Sequence, residues 1–556
     1  MTCRPDWSAV KRVGEGAFLA HERLAIVSPD RGIPGTGRLA AGDQPLTTPS
    51  GRCTVVVNGE VYNASQLKRE HSLSPNSSSD SEVVGMLYEK HGDELVHLLD
   101  GIFAFILHDN SSGRIFVARD HMGICPLYKA TGHDDSVWFA SEMKCFAGES
   151  DMLRSYDIFP PGHTFSAGVN GRGTERWYNP RWLIEPQYVP SKQTTPEEVR
   201  QSLVKAVEKR MTHDVPFGVL LSGGLDSSLV TAIAAKHAFS DPSELHSFSI
   251  GLEGAPDLLE ARRVAAFVGT HHHEFNFTTE EALDAIPDVV YHLESWEQIR
   301  ASVPMFLLAR KIKALGFKMV LSGEGADETF GGYLYFHEAP SANEFHAECV
   351  RKTARLHQWD VMRANKSPHA WGVEARVPFL DMGVLDLVMN TDPKLKMINM
   401  NEKPDGAHSR MEKYLLRKAF DCPDDPYLPD TVLWRQKEQF SDGVGYDWVD
   451  ALQECANTAI TDSMFAKREQ RFKFSPPSTK EYYMLRSMFE SYFPEECASR
   501  TVPVGKSIAC STPEAIAWKE EWMKITGDIS GRAVGAHQAS EQAKLPVDRE
   551  PVSTAS

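Results

Sequence analysis

Val219-Leu-Leu-Ser222-Gly223-Gly224-Leu-Asp226-Ser227-Ser228 is the stretch on which the reading of this chain turns. An apolar run of strand type meets two glycines, and a helix opens at about Asp226. Glycine lets the backbone turn tightly and approach a ligand closely. The free N–H groups of such a loop, with the N-terminus of the following helix, favour an anion. No lysine follows the glycines, so this is not the G-x-x-x-x-G-K-[ST] loop of phosphoryl-transfer enzymes. An aspartate beside the loop repels a bare phosphate but can hold Mg²⁺. The plain alternative is a strand-to-helix turn with Asp226 as its N-cap.

Outward from the loop, helical periods alternate with short apolar strands. Helices are expected over Pro196–Met211, Asp226–Ala238, Asp257–Gly269 and Pro304–Leu315, the last ended by Gly316. Strands are expected over Val215–Leu221, Leu245–Leu252, His273–Phe277 and Lys318–Leu321. That alternation predicts a parallel sheet in an α/β domain. From about residue 330 to 495 the pattern is mostly helical. Residues 15–165 differ: short alternating runs such as Cys53–Val57, Phe103–Leu107, Arg114–Ala118 and Val137–Ala140 predict layered antiparallel sheets, interrupted by a helical pattern over Ser81–Leu99. The expected divisions are 1–165, a Gly/Pro/Ser/Thr-rich linker at 166–195, a second domain at 196–535 and a flexible tail at 536–556.

The chain has 556 residues and a formal net charge of −17. Its acidity argues against a nucleic-acid partner. No apolar run approaches a membrane span. Nine widely spaced cysteines, an odd number with no C-x-x-C, read as reduced thiols and a cytosolic location.

The loop resembles the pyrophosphate loop of ATP pyrophosphatases. Several further stretches extend the likeness to glutamine-dependent asparagine synthetases: Leu321-Ser-Gly-Glu-Gly-Ala-Asp-Glu328, Gly331-Gly-Tyr-Leu-Tyr-Phe336, Arg363-Ala-Asn-Lys366, Gly372-Val-Glu-Ala-Arg-Val-Pro-Phe-Leu-Asp381, Trp434-Arg-Gln-Lys-Glu-Gln-Phe-Ser-Asp-Gly443 and Ser530-Gly-Arg-Ala-Val-Gly535. The N-terminal part is similar to the same family through His21–Val27, Asn58–Asn63, Arg119–Gly123 and Phe139–Lys144. The resemblance implies a class II glutamine amidotransferase domain joined to a synthetase domain of ATP-pyrophosphatase type. The implied reaction is aspartate, ATP and glutamine or ammonia giving asparagine, AMP and diphosphate, with Mg²⁺ accompanying ATP.

The resemblance also implies residue roles. Leu220, Ser222, Gly223, Gly224, Asp226, Ser227, Ile250, Ser322 and Gly323 would bind ATP, and Asp226 and Asp327 would hold the metal. Glu324 would act in forming the acyl-adenylate and its amide, and Lys437 would neutralise phosphate charge. Arg23, Leu24, Ala25, Ile26, Val27, Asn58, Gly59, Glu60 and Asp80 would bind glutamine. From spacing alone, Asn58-Gly59 reads as a type I′ hairpin turn. As an amide side chain beside a backbone N–H it also suits an oxyanion site.

Two stretches depart from the family pattern. The family opens Met-Cys-Gly, and its exposed cysteine is the glutaminase nucleophile. Here the chain reads Met1-Thr2-Cys3-Arg4-Pro5-Asp6, and Cys3 falls near the end of the family's first segment. The expectation is an incomplete N-terminus with no glutaminase nucleophile in place. Second, Glu294-Ser-Trp-Glu-Gln-Ile-Arg-Ala-Ser302 is two residues shorter than its family counterpart and lacks paired threonines. This keeps open an amide- or lactam-forming paralogue acting on another carboxylate, and a non-catalytic homologue. A homodimer is left open.

Overall fold

The computed structural model describes residues 6–27, 42–437, 443–505, 507 and 510–524. Cys3, the Ser530–Gly535 motif and the expected tail lie outside them, as do residues 438–442 of the Trp434–Gly443 motif.

Five parallel strands form the centre of the C-terminal half. In spatial order they are His271–Asn276, His246–Gly251, Phe217–Leu220, Met319–Leu321 and Glu374–Arg376. Side chains alternate across a strand, so both faces of this sheet need cover. Val219, Leu221, Met319 and Leu321 pack on one face with Leu229 and Ile233, and with Val199 and Leu203. Phe248, Ile250, Val320 and Ala375 pack on the other with Val289, Val303, Phe306 and Trp448.

In chain order the strands lie 3-2-1-4-5. The direction of winding reverses between Phe217–Leu220 and Met319–Leu321, and a ligand site in an open α/β sheet forms beyond the carboxyl ends of the strands at such a point.

The helices Pro196–Lys209, Leu225–Ala238 and Pro256–Val268 stand close to their expected places. The first opens with a reciprocal capping box between Thr195 and Glu198. The helix expected from Pro304 instead begins at Ile299 and ends at Ala314, with Pro304 inside it. A proline cannot bond the carbonyl four residues back. That carbonyl, on Arg300, accepts the Trp448 indole N–H at 2.9 Å, so the interior proline leaves no orphan acceptor there.

The N-terminal half holds a six-stranded antiparallel sheet in the order Gly173–Arg176, His163–Ala167, Arg114–Arg119, Gly101–Asp109, Cys53–Val61 and Leu46–Thr47. A three-stranded sheet and the Trp7–Gly14/Ala17–Arg23 hairpin accompany it. The expected Ser81–Leu99 helix is Glu82–His91 followed by a tighter turn over Gly92–His97; Gly92, at φ +59°, ends the α-helix.

Two expectations change. Asn58-Gly59 is not a hairpin turn but lies within the nine-residue strand Cys53–Val61. A Cβ on Gly59 would sit 2.0 Å from the Ile102 carbonyl oxygen, so glycine is there for close strand approach. The stretch 166–195 is not a loose connection: Gly173–Arg176 adds an edge strand, and Trp182 in the short helix Arg181–Ile184 is buried. No helix of the described residues is long and apolar enough to cross a membrane.

Candidate active site at the sheet's reversal point

A cleft of about 310 Å³ opens where the sheet reverses. The loop after Phe217–Leu220 forms one wall. Gly224 caps the helix Leu225–Ala238, so Asp226 lies in its first turn rather than at the cap. The Ser227 hydroxyl donates to the Gly224 carbonyl at 3.3 Å and accepts from the Ser222 N–H at 3.2 Å, which keeps the turn tight. Gly223 stands at φ +77°, and a Cβ there would press into Glu260 and Ala261 at 2.5 Å. Its carbonyl accepts from Arg435 at 3.3 Å.

The loop after Met319–Leu321 forms the facing wall. A Cβ on Gly323 would lie 2.7 Å from the Ser227 nitrogen, so the two loops meet at backbone distance. Leu220 and Ile250 line the same cleft. The residues expected to bind ATP are therefore gathered at one place, Gly223 through its position in the loop.

Charge is closely ordered there. Lys413 Nζ stands 2.6 Å from both Asp226 Oδ2 and Asp327 Oδ1, and Lys437 Nζ stands 2.9 Å from Asp327 Oδ2. Burial raises both carboxyls, but Lys413 and Lys437 bring Asp327 down to about 2, whereas Asp226, with Asp327 beside it, stays above its ordinary value. Asp226 Oδ1 is buried with no hydrogen-bond partner among the described residues. An anionic oxygen left in that state suits a hard cation, so the pair fits Mg²⁺.

Glu324 accepts from Arg363 at 2.7 Å, and Arg363 also reaches Asp360 at 2.8 Å and Gln298 at 3.2 Å. Burial lifts the Glu324 carboxyl and Arg363 opposes the rise. Glu297, on the same cleft, accepts from the Tyr482 hydroxyl at 3.2 Å. Burial pushes Glu297 to about 8, against the hydrogen bond from Tyr482 and with a small push from Glu481. The segment that departs from the family pattern thus supplies Glu297 and Gln298 to the cleft.

Sequence reasoning missed Lys413, Gln298, Asp360 and the role of Arg363. Arg363 stood in a quoted motif. Lys413 carries no local signal, since 187 positions separate it from Asp226.

In the N-terminal half, Glu60 and Asp80 come together. Burial, and each other's charge in the case of Glu60, raises both carboxyls. Asp80 accepts the Val61 N–H at 2.6 Å. Asn58 donates to Ser141 at 3.3 Å. Arg23 is paired with Asp43 at 3.0 Å and donates to the Val27 carbonyl at 3.1 Å. Ile26 is buried in the core of the synthetase half, and Leu24 and Val27 are packed against that core. Ala25 donates its N–H to Asp6 at 2.9 Å, and Asp6 is held by Lys318 at 2.6 Å.

The halves meet through buried charge. Arg376, at the end of the last parallel strand, is fully buried and pairs with Glu60 at 3.1 Å. Its backbone carbonyl accepts the Ser322 N–H at 2.9 Å. Glu294 accepts the N–H groups of Met143 and Lys144 at 2.8 and 2.7 Å and is paired with Lys366 and with Lys144.

A glycine loop at the reversal point of a parallel sheet, faced by ordered carboxylates and lysines and joined to a layered antiparallel half, defines the class: a pyrophosphate-loop α/β half fused to an amidotransferase-type half. Residues 198–345 and 338–523 match the asparagine synthase family, and residues 4–168 match the glutamine amidotransferase domain. The chain belongs to the asparagine synthase family. A glutamine-hydrolysing asparagine synthetase of Triphysaria versicolor is 49% identical over 556 residues, spanning 98% of this chain and 90% of that protein. Glutamine-hydrolysing asparagine synthetase 2 of Arabidopsis thaliana is 50% identical over 546 residues, with 96% and 90% covered. Among solved structures, an NMN synthetase from Francisella tularensis overlaps 57% of this chain and 99% of its own at 10% identity and a TM-score of 0.25, too little to bear on function.

Proposed function

We propose that this chain is an ATP-dependent amide ligase that converts aspartate, ATP and a nitrogen donor, glutamine or ammonia, to asparagine, AMP and diphosphate. The observation that carries the reading is the cleft itself: the Ser222–Ser227 loop and the Glu324–Arg363 pair line one space between two cationic lysines and two carboxylates.

In this reading the loop N–H groups and the start of the helix Leu225–Ala238 receive the phosphates. Lys437 offsets negative charge as the substrate carboxylate attacks the α-phosphate and diphosphate leaves. Glu324, oriented by Arg363, faces the acyl-adenylate and takes up the proton that the incoming ammonia sheds as AMP departs. Asp226 and Asp327 would hold Mg²⁺. Bound there, the ion would neutralise phosphate charge. Glu60, Asp80 and Asn58, with Arg23, are proposed for glutamine. The alternative acceptor is favoured by one observation: Glu297 and Gln298 stand on the cleft where the sequence departs from the family. We place the chain in the cytoplasm on its acidic charge and its odd, widely spaced cysteines, with no nucleic acid or membrane as partner and a homodimer as its assembly.

The test is a paired assay of diphosphate and amide product with aspartate and ammonium. Equimolar AMP, diphosphate and asparagine are expected. Nucleotide turnover that aspartate does not stimulate, but another carboxylate does, would transfer the reading to a different acceptor.

A further inference from the structure

Three histidines outside the cleft are used by nothing described so far. His246 opens the second strand of the parallel sheet, and His271 and His273 lie on its edge neighbour. The parallel register pairs His246 with His271 and Phe248 with His273. Side chains two apart on a strand share a face, and so do register partners. All three imidazoles therefore share one face at one corner of the sheet. Their ring centroids form a nearly even triangle, 4.8, 5.1 and 4.7 Å on its sides. His246 Nδ1 lies 2.8 Å from His273 Nε2, and one nitrogen of each ring can be chosen so that all three lie within 4.8 Å of one another.

The neighbouring His272 shows what a satisfied histidine looks like here. It points to the opposite face, between the Ser247 hydroxyl at 2.9 Å and the Ser249 hydroxyl at 3.1 Å. Among the described residues, no serine or carboxylate hydrogen-bonds the triad. Phe317 and Phe248 pack against it, with ring separations of 4.8 Å to His246 and 5.1 Å to His273. His271 is exposed, which gives an ion and a water ligand a way in.

We propose that His246, His271 and His273 form a binding site for one divalent transition-metal ion of the zinc class. Three imidazoles with an open fourth position match tetrahedral coordination at about 2.0–2.1 Å per nitrogen. Imidazole is a poor ligand for Mg²⁺, so the site is distinct in chemistry from the carboxylates of the cleft. It is near that cleft nonetheless: the Phe248 ring lies against His273 and also lines the nucleotide side.

The experiment uses the full chain, stripped with chelator, its thiols alkylated, and kept in excess Mg²⁺. Zn²⁺ is titrated against a chromophoric chelator, and Cu²⁺ is added separately for electron paramagnetic resonance. One equivalent of Zn²⁺ is expected, and the Cu²⁺ signal should carry nitrogen couplings. His271→Ala, at an exposed position that folding tolerates, should weaken Zn²⁺ by at least about tenfold. The His246→Gln/His273→Gln pair should remove the equivalent, and His272→Ala should retain it. Circular dichroism checks that each variant is folded. If alkylated wild-type protein binds no Zn²⁺, or if His271→Ala binds as wild type does, the site is refuted.

Discussion

Glu294→Gln tests how the two halves are held together. The Glu294 carboxylate is buried, accepts two backbone N–H groups from the N-terminal half and pairs with Lys366 and Lys144. Burial alone would raise its pKa, but Lys144 and Lys366 bring it from the ordinary 4.5 to about 2. A folded value below the unfolded one stabilises the protein above the unfolded pKa, and that contribution is lost as pH falls through the folded one. The depression corresponds to roughly 3 kcal/mol near neutrality. Breaking a buried pair from one side gives a similar figure, about 3–5 kcal/mol, because Lys366 loses its carboxylate partner inside the protein and retains the Tyr128 hydroxyl at 2.7 Å. The assay is the urea midpoint by tryptophan fluorescence at pH 7 and at pH 3.5. The variant should unfold at clearly lower urea at pH 7. Its deficit should narrow at pH 3.5, where the wild-type carboxylate is already losing its charge in the unfolded chain. Equal midpoints at pH 7, or a deficit that does not change with pH, would refute the reasoning.

Three other outcomes are expected. Asp226→Asn should lower diphosphate release from ATP, aspartate and ammonium at least about a hundredfold; a rate near wild type would separate the loop from the nucleotide. Glu324→Ala should lower kcat far more than it weakens ATP binding, and equal losses would make Glu324 structural. Glu297, raised to about 8 by burial, should make stability fall as pH climbs from about 4.5 to 8, since the folded chain holds that proton more tightly than the unfolded one. Glu297→Gln should flatten that part of the urea-midpoint profile relative to wild type, and parallel profiles would count against the assignment.

What sequence could and could not tell follows from how local each signal is. The alternation from residue 196 to 321 is local periodicity, and the parallel sheet followed from it. The order of the strands did not, since periodicity carries no information on neighbours. Glu374–Arg376 is a three-residue strand with two charged residues, and no pattern marks it. Pro304 read as a helix start because proline favours first turns; the partner of the Arg300 carbonyl that it leaves free, Trp448, lies far along the chain. Asn58-Gly59 has the composition of a tight turn, and only the neighbouring strand at Ile102 reveals why glycine is needed. The cleft follows the same division. Ser222 to Ser227 form a contiguous stretch and could be read directly, whereas Lys413 joins Asp226 and Asp327 purely by folding.

Arg376 limits how this protein can be recombined. Its guanidinium is wholly buried and bonds the carbonyls of Arg210 and Thr212 at 2.8 and 2.7 Å, together with Glu374 at 2.7 Å. Those contacts lie within its own half, and the fourth partner, Glu60, comes from the other. A chimaera that takes its N-terminal half from another protein must bring an acid to the place of Glu60. Without one, a buried cation loses a counterion it cannot recover from solvent. The strain would fall on the same residue whose carbonyl anchors Ser322. An exchange made far from the nucleotide cleft would thus register at the cleft's wall, so the halves would have to be exchanged or evolved as a matched pair.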